Sequence, residues 1–273
     1  MTISIIGLGW LGLPLAQSFQ KKGVKVVGST TSSEKSSQLK QLGIQNTLLK
    51  LVPHPEGDHL DMLFQTDILL INIPPSRRTK PDDFHPRQIQ HLKMMAENAG
   101  IQKIIYVSST SVYPNENQIA TENEILNRKN TGNPALWEAE NLLWEAKSYD
   151  LTVVRFGGLL GVDRVPGRYF SARENVAGHP PVNYIHRNDA VKSIEWIIKK
   201  DLWNQTYNIV CLLHPSKKEV FEKNAKEMGF PPPKNYHLAP TQKWKQISPE
   251  KFLQTGFKFQ FQSPLDFTYE DKK

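Results

Sequence analysis

Short runs of Ile, Val and Leu alternate along the chain with longer stretches in which apolar residues return every three or four positions. Runs of the first kind read as strands buried on both faces, and stretches of the second kind as amphipathic helices. The pattern predicts strands at Ile3–Ile6, Val24–Gly28, Thr47–Leu51, Ile68–Ile73, Ile104–Ser108 and Thr152–Phe156. Helices are expected between them at Leu11–Lys22, Ser33–Leu42, Phe84–Ala99 and Ala135–Ser148, the third closed by Gly100. Strand and helix in strict alternation imply an α/β fold, a Rossmann-like doubly wound parallel sheet.

Beyond Phe156 the rhythm breaks into Gly, Pro and polar residues up to Pro181. A short strand Val182–Ile185, a helix Asn188–Lys200, a strand Thr206–Val210, a helix Lys217–Met228 and a last helix near Ser248-Pro249-Glu250 follow, the last with Pro at its first turn. The expected organisation is a nucleotide-binding domain over residues 1–156 and a mixed α/β cap over 157–273 that holds substrate and is partly interleaved with the sheet. No internal repeat or long Gly/Ser linker separates them.

Composition narrows the class. Hydrophobic residues at 38% and charged residues at 22% are globular proportions and exclude a disordered tail or a fibre. The net charge of +7 is spread over short basic runs such as Lys21-Lys22 and Lys217-Lys218, which match no nucleic-acid motif, so no nucleic-acid partner is expected. The uncharged stretch Met1–Gln17 lacks a basic lead and is interrupted by Pro14, and no apolar run approaches the roughly 20 residues that span a bilayer. No membrane association is expected. Cys211, the single cysteine, can form neither an internal disulfide nor a dithiol centre, which fits a reducing cytoplasm. The histidines show no ligand spacing, and no metal is expected.

The chemistry begins at Gly7-Leu8-Gly9-Trp10-Leu11-Gly12, which follows the first strand and opens the first helix. In that context Gly7 permits a tight turn, Gly9 lets a pyrophosphate approach the backbone, and Gly12 lets helix and strand pack closely. After the second strand come Ser29, Thr30, Thr31, Ser32 and Ser33, where a fold selecting NAD usually carries an acid. Hydroxyls with Lys35 beside them suit a 2′-phosphate, so NADP is the expected cofactor and NAD remains open. The same serines also suit a cap on the next helix. The fourth strand runs into Asn72-Ile73-Pro74-Pro75-Ser76-Arg77-Arg78, at the carboxyl edge where such sheets bind ligands. Ile73, Pro74 and Pro75 are expected on the cofactor, and Arg77 or Arg78 on an anion, unless both arginines are merely solvated.

The fifth strand ends Ser108-Ser109-Thr110-Ser111-Val112-Tyr113. Here the chain resembles the extended short-chain dehydrogenases, the NAD(P)-dependent epimerase/dehydratase proteins, and the resemblance covers most of its length. Val154-Arg155-Phe156-Gly157-Gly158 resembles the family's turn beside the nicotinamide, Tyr184-Ile185-His186-Arg187-Asn188-Asp189 its substrate-side strand and helix start, and Tyr207-Asn208-Ile209-Val210 its late strand. More narrowly, Gly-Leu-Gly-Trp-Leu-Gly with Pro166-Gly167-Arg168-Tyr169-Phe170 resembles the YeeZ-type branch. The resemblance implies cofactor contacts at Ser108 and Gly157 and a catalytic hydroxyl at Ser109.

One part of the family pattern is missing. Counting back from Glu140, the positions of the family's proton-transferring Tyr and its Lys fall on Gly132 and Leu136. Tyr269 to Lys273 has the spacing but lies in a charged tail. His186, Glu122, Tyr113 and Arg168 are the groups that could take over, His186 as an acid/base and Arg168 as a clamp on a substrate anion. Two functions follow: an atypical oxidoreductase or epimerase acting on a small-molecule substrate, or a catalytically silent NADP-binding sensor or scaffold. The helices Phe84–Ala99 and Ala135–Ser148, with Trp137 and Trp144, offer faces for a homodimer, although core packing explains the same residues.

Overall fold

Ile3, Ile5 and Ile6, with Leu69, Leu70 and Ile71 beside them, expose none of their surface. Each such side chain withdrawn from water stabilises the folded chain by about 1.5–3 kcal/mol, and runs buried on both faces belong in the middle of a parallel sheet. The computed structural model describes residues 1–75, 80–237 and 243–270. Its elements begin β1 Thr2–Ile6, α1 Gly12–Lys21, β2 Lys25–Thr30, α2 Ser33–Gln41, β3 Gln45–Leu48, β4 Ile68–Ile71, α3 Phe84–Asn98, β5 Lys103–Ser109 and β6 Gln118–Ala120. They continue α4 Pro134–Trp144, β7 Asp150–Phe156, β8 Gly158–Leu160, β9 Tyr184–His186, α5 Arg187–Lys199, β10 Gln205–Ile209, α6 Lys217–Met228 and β11 Lys245–Ile247.

Seven strands form one sheet in the order β10-β7-β5-β4-β1-β2-β3. Pairing is parallel from β3 through β2, β1 and β4 to β5. The order steps outward from β1 in both directions, which is the doubly wound Rossmann arrangement. No helix among the described residues is long and apolar enough to cross a membrane.

Two expected elements end more than two residues from where they were expected. The third strand was expected at Thr47–Leu51 but runs Gln45–Leu48, because its register pairs Val27 with Gln45 and Thr30 with Leu48, where β2 stops. Lys50 and Leu51 instead pair antiparallel with Glu56 and Pro55. The helix expected to reach Ser148 stops at Trp144. The Lys93 ammonium of α3 donates to the carbonyls of Leu142 at 2.9 Å and Glu145 at 2.5 Å, satisfying acceptors the helix would otherwise leave open. Helix α6 matches its expected span and carries a capping box between Ser216 and Glu219, with left-handed Gly229 after its end.

The chain forms two compact units. The first comprises Met1–Ser108, Leu126–Val154 and Ile197–Thr206; the second comprises Ser109–Ile125, Arg155–Trp196 and Tyr207–Lys273. Within the second, β6 pairs parallel with β11, and β8 with β9. One apolar cluster of this unit gathers Val176, Val182, Val220 and Phe221, and another Leu160, Cys211, Phe261 and Phe267.

Candidate functional site

In the first unit the glycine loop is held by three hydrogen bonds to two residues, Ser29 and Asn72. Gly7 N donates to Ser29 Oγ at 3.1 Å, Leu8 N to Ser29 O at 2.8 Å, and Asn72 Nδ2 to Gly7 O at 3.0 Å. Gly7 has φ +102°, and a Cβ there would lie 2.4 Å from Asn72 O. A Cβ on Gly12 would lie 2.2 Å from Gly7 O, so Gly12 is required by packing. A Cβ on Gly9 would meet nothing within 4 Å. The space above Gly9 is what a ligand's close approach needs.

That loop borders a pocket of about 490 Å³. Of the expected cofactor residues, Gly7, Leu8, Gly9, Ser29, Thr30, Thr31, Ile73 and Pro74 line it. Trp10, Leu11, Gly12 and Pro75 lie off the lining, as does Ser108, whose hydroxyl donates to the buried Glu140 Oε1 at 2.5 Å. Gly157 belongs to the second unit, where a Cβ on it would lie 2.4 Å from Asn183 O. Arg77 and Arg78 lie outside the described residues. Ser29 is 3% exposed and its hydroxyl serves Gly7, whereas Ser32 caps α2 by accepting from Lys35 N at 3.3 Å. The capping role expected for these serines is therefore present. Thr31, Lys35 and Lys80 complete a rim, and among the described residues no Asp or Glu belongs to the lining.

Leu51, Val52, Phe84 and Gln88 also line the pocket, and nothing in their local sequence marked them. Behind them runs a buried relay. Gln88 Nε2 donates to Leu51 O at 2.8 Å, so its Oε1 receives the Nδ1 proton of His85 at 3.2 Å, and Tyr106 O–H donates to His85 Nε2 at 2.8 Å. Burial lowers the His85 pKa to about 4 despite the Gln88 bond, and raises that of Tyr106 well above its ordinary value with help from Glu140. Each polar atom of the relay has a partner, which is the condition for burying it.

The second unit holds a separate hollow of about 310 Å³, lined by Ser109, Ser111, Tyr184, Lys217 and Lys245 among others. Ser109 ends β5 and its hydroxyl accepts from Ser111 N at 3.1 Å, which starts a single 3₁₀ turn. Lys245, on β11, donates from its ammonium to the carbonyl of Tyr113. Burial lowers its pKa to about 8, with Glu124 pulling the other way.

The other acid/base residues singled out from the sequence are engaged elsewhere. Tyr113 O–H donates to Asn208 Oδ1 at 2.9 Å and its oxygen accepts from Arg155 Nη1 at 2.7 Å, while Glu122 Oε1 accepts from Asn208 N at 2.6 Å. Burial pushes the Tyr113 phenol up to about 12, against the Arg155 guanidinium. His186 is 1% exposed and packed on Phe261 and Phe267. Its Nδ1 accepts from Asn188 N at 3.2 Å and its Nε2 faces Thr268 O at 3.4 Å, and burial lowers its pKa to about 4. Both nitrogens are used, as in a satisfied core histidine. Arg168 is exposed, with its guanidinium over the Phe230 ring, and does not line the hollow. Asp189 latches the backbone N–H groups of Gln260 and Phe261, both at 2.9 Å. Among the described residues no group of His, Cys, Asp and Glu could hold a metal.

A glycine loop between β1 and α1 under an open pocket, in a sheet of this order, defines a Rossmann domain of the NAD(P)-binding class. Residues 2–124 match the NAD binding domain of 6-phosphogluconate dehydrogenase. Over 266 residues the chain is 31% identical to Protein YeeZ of Escherichia coli K12, covering 96% of this chain and 97% of that one. It belongs to the YeeZ family. The UDP-glucuronic acid 4-epimerase of Bacillus cereus, solved with UDP-glucuronic acid and NAD, has the same fold, with a TM-score of 0.78 at 17% identity over 98% of this chain and 96% of that one. A conserved protein of unknown function from Silicibacter pomeroyi gives 0.75 at 18% identity over 97% and 95%. The fold is that of the epimerase/dehydratase proteins.

Proposed function

We propose that the chain is an NADP-using protein of the epimerase/dehydratase type, an atypical oxidoreductase or epimerase that acts on a small molecule without the usual Tyr–Lys pair. The observation that carries this reading is the open space above Gly9 in a loop otherwise closed by packing. A nicotinamide dinucleotide bound there supplies a hydride donor or acceptor. The choice of NADP rests on a pocket rim with Thr31, Ser32, Lys35 and Lys80 and, among the described residues, no carboxylate, which suits a 2′-phosphate and would not repel it. In the second unit, Ser109 orients the substrate oxygen, and Lys245 moves its proton, since an amine with a pKa of about 8 gives and takes protons near neutrality.

Parallel titrations of the purified protein with NADPH and NADH, followed by tryptophan fluorescence, test the cofactor part. NADPH should bind more tightly, and Lys35→Glu should weaken NADPH by about tenfold, or 1.4 kcal/mol, while sparing NADH. Failure of both nucleotides to bind overturns the reading.

A second reading is favoured by the replacement of the family's Tyr and Lys positions by Gly132 and Leu136, together with the closed networks around Tyr113 and His186. On that reading the chain is a cofactor sensor or scaffold. It requires no turnover over a broad carbonyl panel, and a partner whose affinity follows the cofactor's redox state. In both readings the protein works in a reducing cytoplasm, with Cys211 buried and free. Both also include a homodimer through the outer faces of α3 and α4, where Met94 is exposed; light scattering tests it.

A further inference from the structure

The hollow of the second unit carries an unusual charge pattern. Lys217, Lys243 and Lys245 all line it, and among the described residues no Asp or Glu does. Their partners differ in a way that matters. Lys243 is tied to Glu116 at 2.6 Å in an exposed pair, which contributes little. Lys245 is spent on a neutral carbonyl, that of Tyr113. Lys217 is half-buried, and among the described residues its ammonium has neither a hydrogen bond nor an ion pair. Burial accordingly lowers its pKa.

Its position adds to the cost. Lys217 is the first residue of α6, where the helix already presents partial positive charge, although its first-turn N–H groups are paired, Lys217 N with Pro180 O at 3.1 Å and Lys218 N with Gly178 O at 3.0 Å. The nearby acid, Glu219, is turned back into the capping box, its Oε2 accepting from Ser216 N at 2.8 Å and Ser216 Oγ at 2.7 Å. A cation held half out of water, at the wrong end of a helix and without a counter-ion, is stabilised when an anion enters the hollow. Ser109 in the same lining offers a neutral hydroxyl donor that such an anion takes, its oxygen accepting from Ser111 N.

We propose that this hollow binds a compact phosphomonoester, with Lys217 as the principal cation and Lys245 the second, and that this is the substrate class of the site. The inference rests on the reading above in taking the hollow as the substrate site. Its charge points to a dianion, and its volume of about 310 Å³ lies at the lower end of the range for small-molecule sites, about 300–1,000 Å³, which favours a small molecule over a nucleotide sugar. Lysine ammonium groups suit phosphate as point charges.

The test is calorimetric titration of the full chain, saturated with NADPH so that the dinucleotide pocket is filled. The probes are inorganic phosphate, glycerol 3-phosphate, glycerate, glycerol and uridine diphosphate. Glycerol 3-phosphate should bind and glycerol should not. Lys217→Gln and Lys245→Gln should each raise its Kd by about tenfold, with circular dichroism confirming the fold. Lys217→Arg should keep most of the affinity, and the exposed Lys226→Gln all of it. Equal binding of glycerol, affinity unmoved in both glutamine variants, or tighter binding of glycerate or uridine diphosphate would each overturn the assignment. Loss of NADPH binding by the native chain overturns the cofactor reading instead. Phosphomonoester binding that still depends on Lys217 would then stand without it.

Discussion

Gly9 and Gly12 sit three residues apart in one loop, yet they should respond to the same methyl group in opposite ways. At Gly9 an added Cβ meets no atom within 4 Å, and the backbone φ is not in the left-handed region. Gly9→Ala should therefore leave the fold intact or stabilise it by about 0.4–1 kcal/mol through the unfolded chain. The methyl would stand where the pyrophosphate must approach. An overlap of that kind costs about 1–3 kcal/mol, which corresponds to a loss of roughly 5- to 150-fold in NADPH affinity. At Gly12 the Cβ would lie 2.2 Å from Gly7 O and 3.1 Å from Asn72 Nδ2, two atoms fixed by the hydrogen bond between them. Gly12→Ala should destabilise the protein by about 1–3 kcal/mol or more, lowering Tm by roughly 2–12 °C. Thermal unfolding by circular dichroism and NADPH titration by fluorescence measure the two effects separately. A Gly9→Ala protein that binds NADPH like the parent, or a Gly12→Ala protein with an unchanged Tm, would refute the assignment of the loop.

Two further outcomes follow from the buried polar groups. His85 is held neutral with its pKa near 4, whereas an unfolded histidine titrates near 6.5, so below pH 6.5 the unfolded chain takes up a proton that the folded chain refuses. Stability should fall as pH drops from about 6.5 to 4, by up to about 3 kcal/mol from this residue. Urea denaturation of the parent and of His85→Gln at pH 7 and pH 4.5 checks this, and an identical pH response in both would rule it out. Glu140 accepts from Ser108 at 2.5 Å with 3% of its surface exposed. Glu140→Gln weakens a charge-assisted bond and should cost about 1–2 kcal/mol in urea unfolding, with the NADPH affinity retained because Ser108 lies off the pocket.

Along the chain, the parts of the site that could be read locally were those with a backbone requirement. Gly7, Gly9 and Gly12, set between a strand and a helix, announce a turn, a close approach and a packing contact, and the Ile68–Ile73 run, of which Ile68–Ile71 is strand, announces a central strand by its run of apolar residues. Residues whose role depends on a partner far away were not legible. Tyr113 meets Arg155 and Asn208, which are 42 and 95 positions away, and that contact turns a possible proton carrier into a buried strut. His186 has an ordinary sequence neighbourhood, and only the rings of Phe261 and Phe267 reveal it as packing. Lys245 carried no signal because its neighbours in the hollow, Ser109 and Lys217, come from separate parts of the chain.

The amino-acid sequence by itself determined the layers of this protein: the period of its apolar residues decides which segments become strands and which helices, and glycine, proline and capping residues decide where they turn. These are short-range effects, settled within a few residues by backbone sterics and by which face can be buried. Tertiary structure alone decided the charge and protonation of the site. Whether a histidine is held neutral, whether a lysine keeps a counter-ion, and whether a methyl group has room depend on atoms brought together from distant positions, and on the water that folding removes from between them.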